Sequence, residues 1–274
     1  MNDLLSNPAF QSGVLPFIVA LVALLVLKQA GWFWAGLAFS IAFFCSVYFA
    51  VGFQIQPLTS TRKIILLVAI ATLAGLLADV FRGNRVLITW ISGLLAAVAV
   101  AWVIWPVVRR QEGAELWIIL LPSILYVAWT VSSVESLRIK SSSISMAILA
   151  LGFGTGFSAL LGASALLGQL GIAAGASASA YVMVRLFRGD FSLGSTFILP
   201  AALLIGLLGI AATIFAKLPW YVLVILSIIP LAIRLPVNAH LSEFRKILLL
   251  SSYVLPIAII AVVVTWRITG APVI

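Results

Sequence analysis

The chain has 274 residues, 64% of them hydrophobic and 8% charged, with a mean hydropathy of +1.26. Soluble domains carry about 25% charged residues and are roughly half apolar, so an aqueous fold could not hide this surface and lipid must solvate most of it. The net charge of +9 sits singly or in pairs at the ends of apolar runs, where it reads as a topology signal and as contact to anionic headgroups, not as a nucleic-acid surface.

The predicted class is an all-α, polytopic integral membrane bundle. A span needs about 20 apolar residues, which gives room for about ten spans in one transmembrane domain over residues 1–274. The polar N-terminus, Met1 to Gly13, has no Lys or Arg and lacks the basic region of a secretory signal, so span 1 (14–27) is expected to be an uncleaved anchor ending at Lys28. Span 2 (32–53) opens with Trp32 and Trp34, rings suited to a headgroup boundary. Span 3 (64–80) holds Asp79 near its end, and span 4 (86–107) has tryptophans at both ends. Span 5 (116–134) contains Pro122 and closes on Glu135, Arg138 and Lys140.

Residues 141–184 carry no charge and are crowded with Gly, Ala and Ser. At 1.5 Å per residue they would extend about 66 Å, two bilayer cores, so spans 6 (144–163) and 7 (168–187) form a hairpin. Gly154, Ser158 and Gly162 recur every four residues, as do Gly171, Gly175 and Ser179. Each set lines one helix face and lets a second backbone approach closely, which places this hairpin at the centre of the bundle. Gly152-Phe153-Gly154-Thr155-Gly156 lacks the strand–loop–helix setting of a nucleotide loop. Close packing is its expected use, with an unwound, ion-binding helix as the alternative. Spans 8 (193–216), 9 (219–237) and 10 (247–266) contain Pro200, Pro230 and Pro256.

Lys and Arg number ten in the loops after spans 1, 3, 5, 7 and 9 and six on the other side. The positive-inside rule then puts both termini outside, in a plasma membrane of the bacterial inner type. Leu15-Pro16 recurs as Leu121-Pro122, and Phe81-Arg82-Gly83-Asn84 as Phe187-Arg188-Gly189-Asp190, both at an offset of 106 residues. A parallel internal repeat would map span 1 onto 5 and span 3 onto 7; chance is the competing reading, because the spans between match poorly. In such a repeat Asp79 and Arg185 occupy equivalent places with opposite charge and could pair. Otherwise both sit in the headgroup zone, with Asp79 answering Arg82 on its own helix.

Chemistry-bearing groups are scarce. Cys45 and His240 are single, so no cysteine or multi-histidine metal site and no cofactor is expected. Ser164 lacks the Gly-x-Ser-Gly setting of intramembrane proteases, and Arg234, His240 and Glu243 read as interfacial charges, not a proton relay. No catalytic residue is assigned. In span number the chain is similar to ten-span drug/metabolite-type carriers, although their inverted halves predict a likeness between spans 1–5 and 6–10 that this sequence does not show. The expected function is a small transporter or permease for a neutral, apolar or amphiphilic molecule. The alternative is a non-catalytic subunit of a larger membrane complex, with other transmembrane chains or further copies of itself as partners; a lipid-acting enzyme is the weakest reading. A transporter should show a polar pocket near the midplane between spans 3, 6, 7 and 8.

Overall fold

The computed structural model describes residues 7–52, 56–81, 85–138, 140–162, 164–188, 191–238 and 240–270. Among the described residues the regular elements are helices, which group into ten in chain order. We number them α1 (Phe10–Ala30, opening with one π turn), α2 (Leu37–Ala50, preceded by the single turn Trp32–Ala35), α3 (Ser60–Val80), α4 (Arg85–Val108), α5 (Ala114–Glu135), α6 (Ser141–Leu161), α7 (Ala165–Arg188), α8 (Ser195–Ala216), α9 (Trp220–Ser227, continued by Ile229–Ala232) and α10 (Glu243–Thr269). Eight are long and apolar enough to cross a membrane; α2 and α9 are shorter. The sequence expected full spans there, 32–53 and 219–237. Both are interrupted.

The break in α2 has an identifiable cause. Tyr181 of α7 is fully buried. Its hydroxyl accepts from Phe39 N–H at 2.9 Å and donates to the Ala35 carbonyl at 2.8 Å. Those two groups would otherwise bond each other as i and i+4. The hydroxyl is inserted into the helical ladder, a recognised cause of kinking, and it partners both of the groups it separates. Phe39, Phe197 and Tyr181 pack their rings around the insertion.

The α6–α7 hairpin packs backbone against backbone. A Cβ on Gly152 would lie 2.6 Å from Gly175 N, and one on Gly171 would lie 2.5 Å from the Gly156 Cα. Gly152 and Gly156 therefore face Gly171 and Gly175. Gly154 faces the other way, admitting Leu226 of α9 and Ala258 of α10. Ser158 and Gly162 are buried along that second stripe, and Ser179 turns its hydroxyl back to the Gly175 carbonyl at 2.9 Å.

The most enclosed helix is α8, not the hairpin. Each residue from Ser195 to Ala212 is buried, and α2 to α7 all pack on it. A helix apolar on every side has no face to give to water or lipid headgroups and settles in the core. The hairpin lies beside it. The perimeter shows large apolar side chains, among them Val14, Ile18, Val22 and Val26 on α1 and Trp90, Leu94, Val98 and Trp105 on α4, as a lipid-facing surface requires.

Shifted by 106 residues, α1 to α4 fall on α5 to α8 with helix ends no more than five residues apart. The packing does not follow. The α6–α7 pair is backbone to backbone, whereas α2 and α3 meet at little more than a Ser40–Thr72 hydroxyl pair at 2.7 Å. Residues 82–84 and 189–190, which carry most of the repeated tetrapeptide, lie outside the described residues.

Candidate functional site

Charged and polar groups gather at the end of the bundle where α3, α5, α7 and α9 finish and α4, α6, α8 and α10 begin. Two ion-pair networks and a cavity are built there.

The first network holds the start of α8. Gly194 is the N-cap and brings no side chain of its own, so the leading N–H groups of α8 need an acceptor from elsewhere. Asp79, 2% exposed at the end of α3, supplies it. Its carboxylate accepts from Ser195 N–H and Thr196 N–H at 2.9 Å each and from Thr196 Oγ1 at 2.7 Å, and it is salt-bridged to Arg138. A buried carboxylate is tolerated only when its lone pairs are matched, and four donors at a positive helix end do so. Two glycines make the approach possible. A Cβ on Gly75 would stand 2.8 Å from Thr196 Cα, and one on Gly194 would collide with the Asp79 carboxylate. Ser195 also donates through Oγ to Glu135 Oε1 at 2.5 Å, and Arg138 Nη1 stands 3.9 Å from that same oxygen.

The second network joins α6, α7 and α10. Arg185 donates to the Phe191 carbonyl at 2.8 Å and pairs with Glu243 at 3.3 Å. Glu243 also accepts from Ser142 Oγ at 3.0 Å and Lys246 Nζ at 2.9 Å. Ser141 Oγ receives Leu193 N–H at 3.0 Å, tying the α7–α8 link to the start of α6.

The two charges that the repeat suggested as a pair are thus both buried at this end and take different counter-charges: Asp79 has Arg138, and Arg185 has Glu243. The alternative, with Asp79 solvated in the headgroup zone, does not hold either, since it is enclosed; Arg82 lies outside the described residues. Sequence reasoning missed Arg138, Glu135 and Ser195. Asp79 could have been matched with any of several basic residues near helix ends, and only the fold brings the α5–α6 link over the end of α3. Arg234, His240 and Glu243 do not assemble: Arg234 donates to Ser136 Oγ at 2.9 Å, Glu243 faces Arg185, and the His240 backbone bonds Asn238.

Above the second network lies a cavity of about 490 Å³. Its lining mixes polar groups, Lys140, Ser141 to Ser143, Arg185, Glu243 and Lys246, with apolar ones, Phe191, Leu235, Val237 and Leu250. It exists because α9 stops early. Its two segments cover residues 220–232, about 20 Å of rise, short of the roughly 30 Å hydrocarbon core. The chain then runs on as turns and loop to α10, leaving a recess beside α6 and α7. A second cavity of about 280 Å³ lies between α3, α4, α5 and α8. It is apolar apart from Ser92, and Leu67, Ala96, Ala99 and Leu203 form part of its wall. Neither cavity is the polar midplane pocket between spans 3, 6, 7 and 8 that the transporter reading expected.

The glycines of α6 and α7 line neither cavity; they are consumed in helix packing. No protein-family model matches the chain, and no curated protein matches it. What can be read of its function rests on the geometry of the charged end.

Proposed function

We propose that this chain is a small membrane permease for an amphiphilic molecule, which it takes up in the cavity at the charged end. The observation that carries this reading is the mixed lining of that cavity, in which Lys140, Arg185, Glu243, Lys246 and Ser141 to Ser143 stand together with Leu235, Val237 and Leu250. A ligand with a polar head and an apolar body matches both kinds of lining at once, as concave sites with a few convergent polar groups generally require. Position supports it too. The recess is at the end of the bundle beside a short helix, where a molecule already dissolved in the bilayer could enter without crossing water. The kinked α2, the interrupted α9 and the prolines within α5, α8 and α10 supply bendable elements. On the basic bias of the loops we assign the charged end to the cytoplasmic side of a bacterial-type inner membrane.

The test is flux in liposomes reconstituted with the purified chain. Labelled amphiphiles with phosphate, carboxylate, ammonium or neutral heads are compared. At least one should cross faster than in empty liposomes, and Lys140→Glu, which reverses a charge on the wall, should slow an anionic member of the set. Equal flux in loaded and empty vesicles for every amphiphile, with the chain recovered in a fixed ratio to another membrane protein, would favour the subunit reading.

A further inference from the structure

Glu135 is the last residue of α5, and its side chain is 2% exposed. Oε1 accepts the Ser195 hydroxyl at 2.5 Å. Oε2 is buried and has no hydrogen-bond partner. The charged groups facing it are Asp79 from α3 and Arg138 from the α5–α6 link; α8 presents Ser195 and the positive end of its backbone dipole. Arg234, from the α9–α10 link, is engaged with Ser136 and the Ser133 carbonyl on the neighbouring turn.

Two enclosed carboxylates therefore share one guanidinium. They are not equivalent. Asp79 takes Arg138 Nη2, two backbone N–H groups and a hydroxyl, so it holds the negative charge. Glu135 has one hydroxyl, and Arg138 Nη1 at 3.9 Å is too far for a hydrogen bond. An unpaired buried carboxylate oxygen is far costlier than a neutral carboxyl, and like charges in one enclosure disfavour double ionisation. The missing ligand is a cation that needs a single oxygen. A hard metal ion seeks six or more oxygens and would be repelled by Arg138. A proton needs one oxygen and no shell.

We propose that Glu135 Oε2 is a proton-binding site, filled from the aqueous phase at the charged end and emptied back to it. Carboxylate and proton combine to the carboxylic acid with no other reactant, and the enclosure becomes electrically neutral: Arg138 positive, Asp79 negative, Glu135 uncharged. This site is independent of the amphiphile reading, since it is measured without any transported molecule.

The test is infrared spectroscopy of the full chain in lipid, in H2O and D2O. At neutral pH the wild type should show a carboxylic-acid carbonyl band that shifts in D2O, fades as pH is raised, and is absent from Glu135→Gln. Sodium at fixed pH should leave it unchanged. Asp79→Asn removes the rival carboxylate, so Arg138 should draw Glu135 into ionisation and the band should weaken. Should Glu135→Gln fold poorly, Glu135→Asp keeps an acid and should displace the band instead of deleting it. A band that survives Glu135→Gln, a band that sodium removes, or no band in the wild type until exposed acids protonate near pH 4 would each overturn the proposal.

Discussion

A single hydroxyl accounts for the shape of α2. Tyr181 Oη satisfies both Phe39 N–H and the Ala35 carbonyl, and Tyr181→Phe leaves the carbonyl without its donor and Phe39 N–H with only its 3.4 Å bond to the Gly36 carbonyl, unless the kinked turn rewinds to join them. Unsatisfied buried groups cost about 1–3 kcal/mol. Thermal unfolding in detergent should show a loss of that order, against a smaller loss for Tyr48→Phe, whose ring is exposed. Asp79 carries more. Asp79→Ala strips the α8 terminus of its acceptor and leaves Arg138 without its partner, a change that typically costs about 3–5 kcal/mol when the pair is buried; little folded protein should be recovered. Neither role was legible in the sequence. A tyrosine and an aspartate near the ends of apolar runs look like ordinary boundary residues, and their partners lie 142 and 116 residues away.

Elements were more readable than residues, because hydrophobic length and small-residue spacing are local properties. The hairpin of α6 and α7 was legible from its uncharged length, and both four-residue stripes are used. Which stripe meets which neighbour was not legible, since Gly152/Gly156 and Gly154/Ser158 have the same spacing. Gly171→Val should disrupt assembly outright, because the added atoms meet the Gly156 backbone and not a movable side chain, whereas Gly13→Ala meets nothing within 4 Å; yields of folded protein compare the two. At the other end of the bundle, Pro106 in α4 cannot donate to the Trp102 carbonyl four residues earlier, and Lys63 Nζ takes that place at 2.9 Å. Pro106→Ala restores the N–H donor. A double-mutant cycle of Pro106→Ala with Lys63→Met should therefore show a coupling of about 0.5 kcal/mol or more; additivity would mean that the lysine answers some other need.

At the scale of the whole molecule, the class and the order of helices follow from composition and from alternating polar breaks. The identity of the central helix does not. Glycine and serine spacing points to the hairpin, whereas α8 is central for a different reason: from Ser195 to Ala216 it has no charge and no polar face. The offset of 106 residues recurs in the lengths of α1 to α4 and α5 to α8 but not in how they pack, so chain order alone did not indicate which helices meet. Chemistry is concentrated at one end. Glu135, the anchored start of α8 and the cavity of mixed lining all lie where α3, α5 and α7 finish, and the short α9 leaves the cavity open.

The most direct measurement of that claim is photolabelling of the full chain in lipid with an amphiphile bearing an anionic head and a reactive group beside it, followed by peptide mapping. Labels are expected on the start of α6, on Arg185, Phe191 and Ser192, and on Leu235, Val237 and 243–250, competed by the unlabelled amphiphile and reduced by Lys140→Glu. Labels confined to the apolar recess between α3, α4 and α8, or spread without competition over the lipid-facing perimeter, would contradict it.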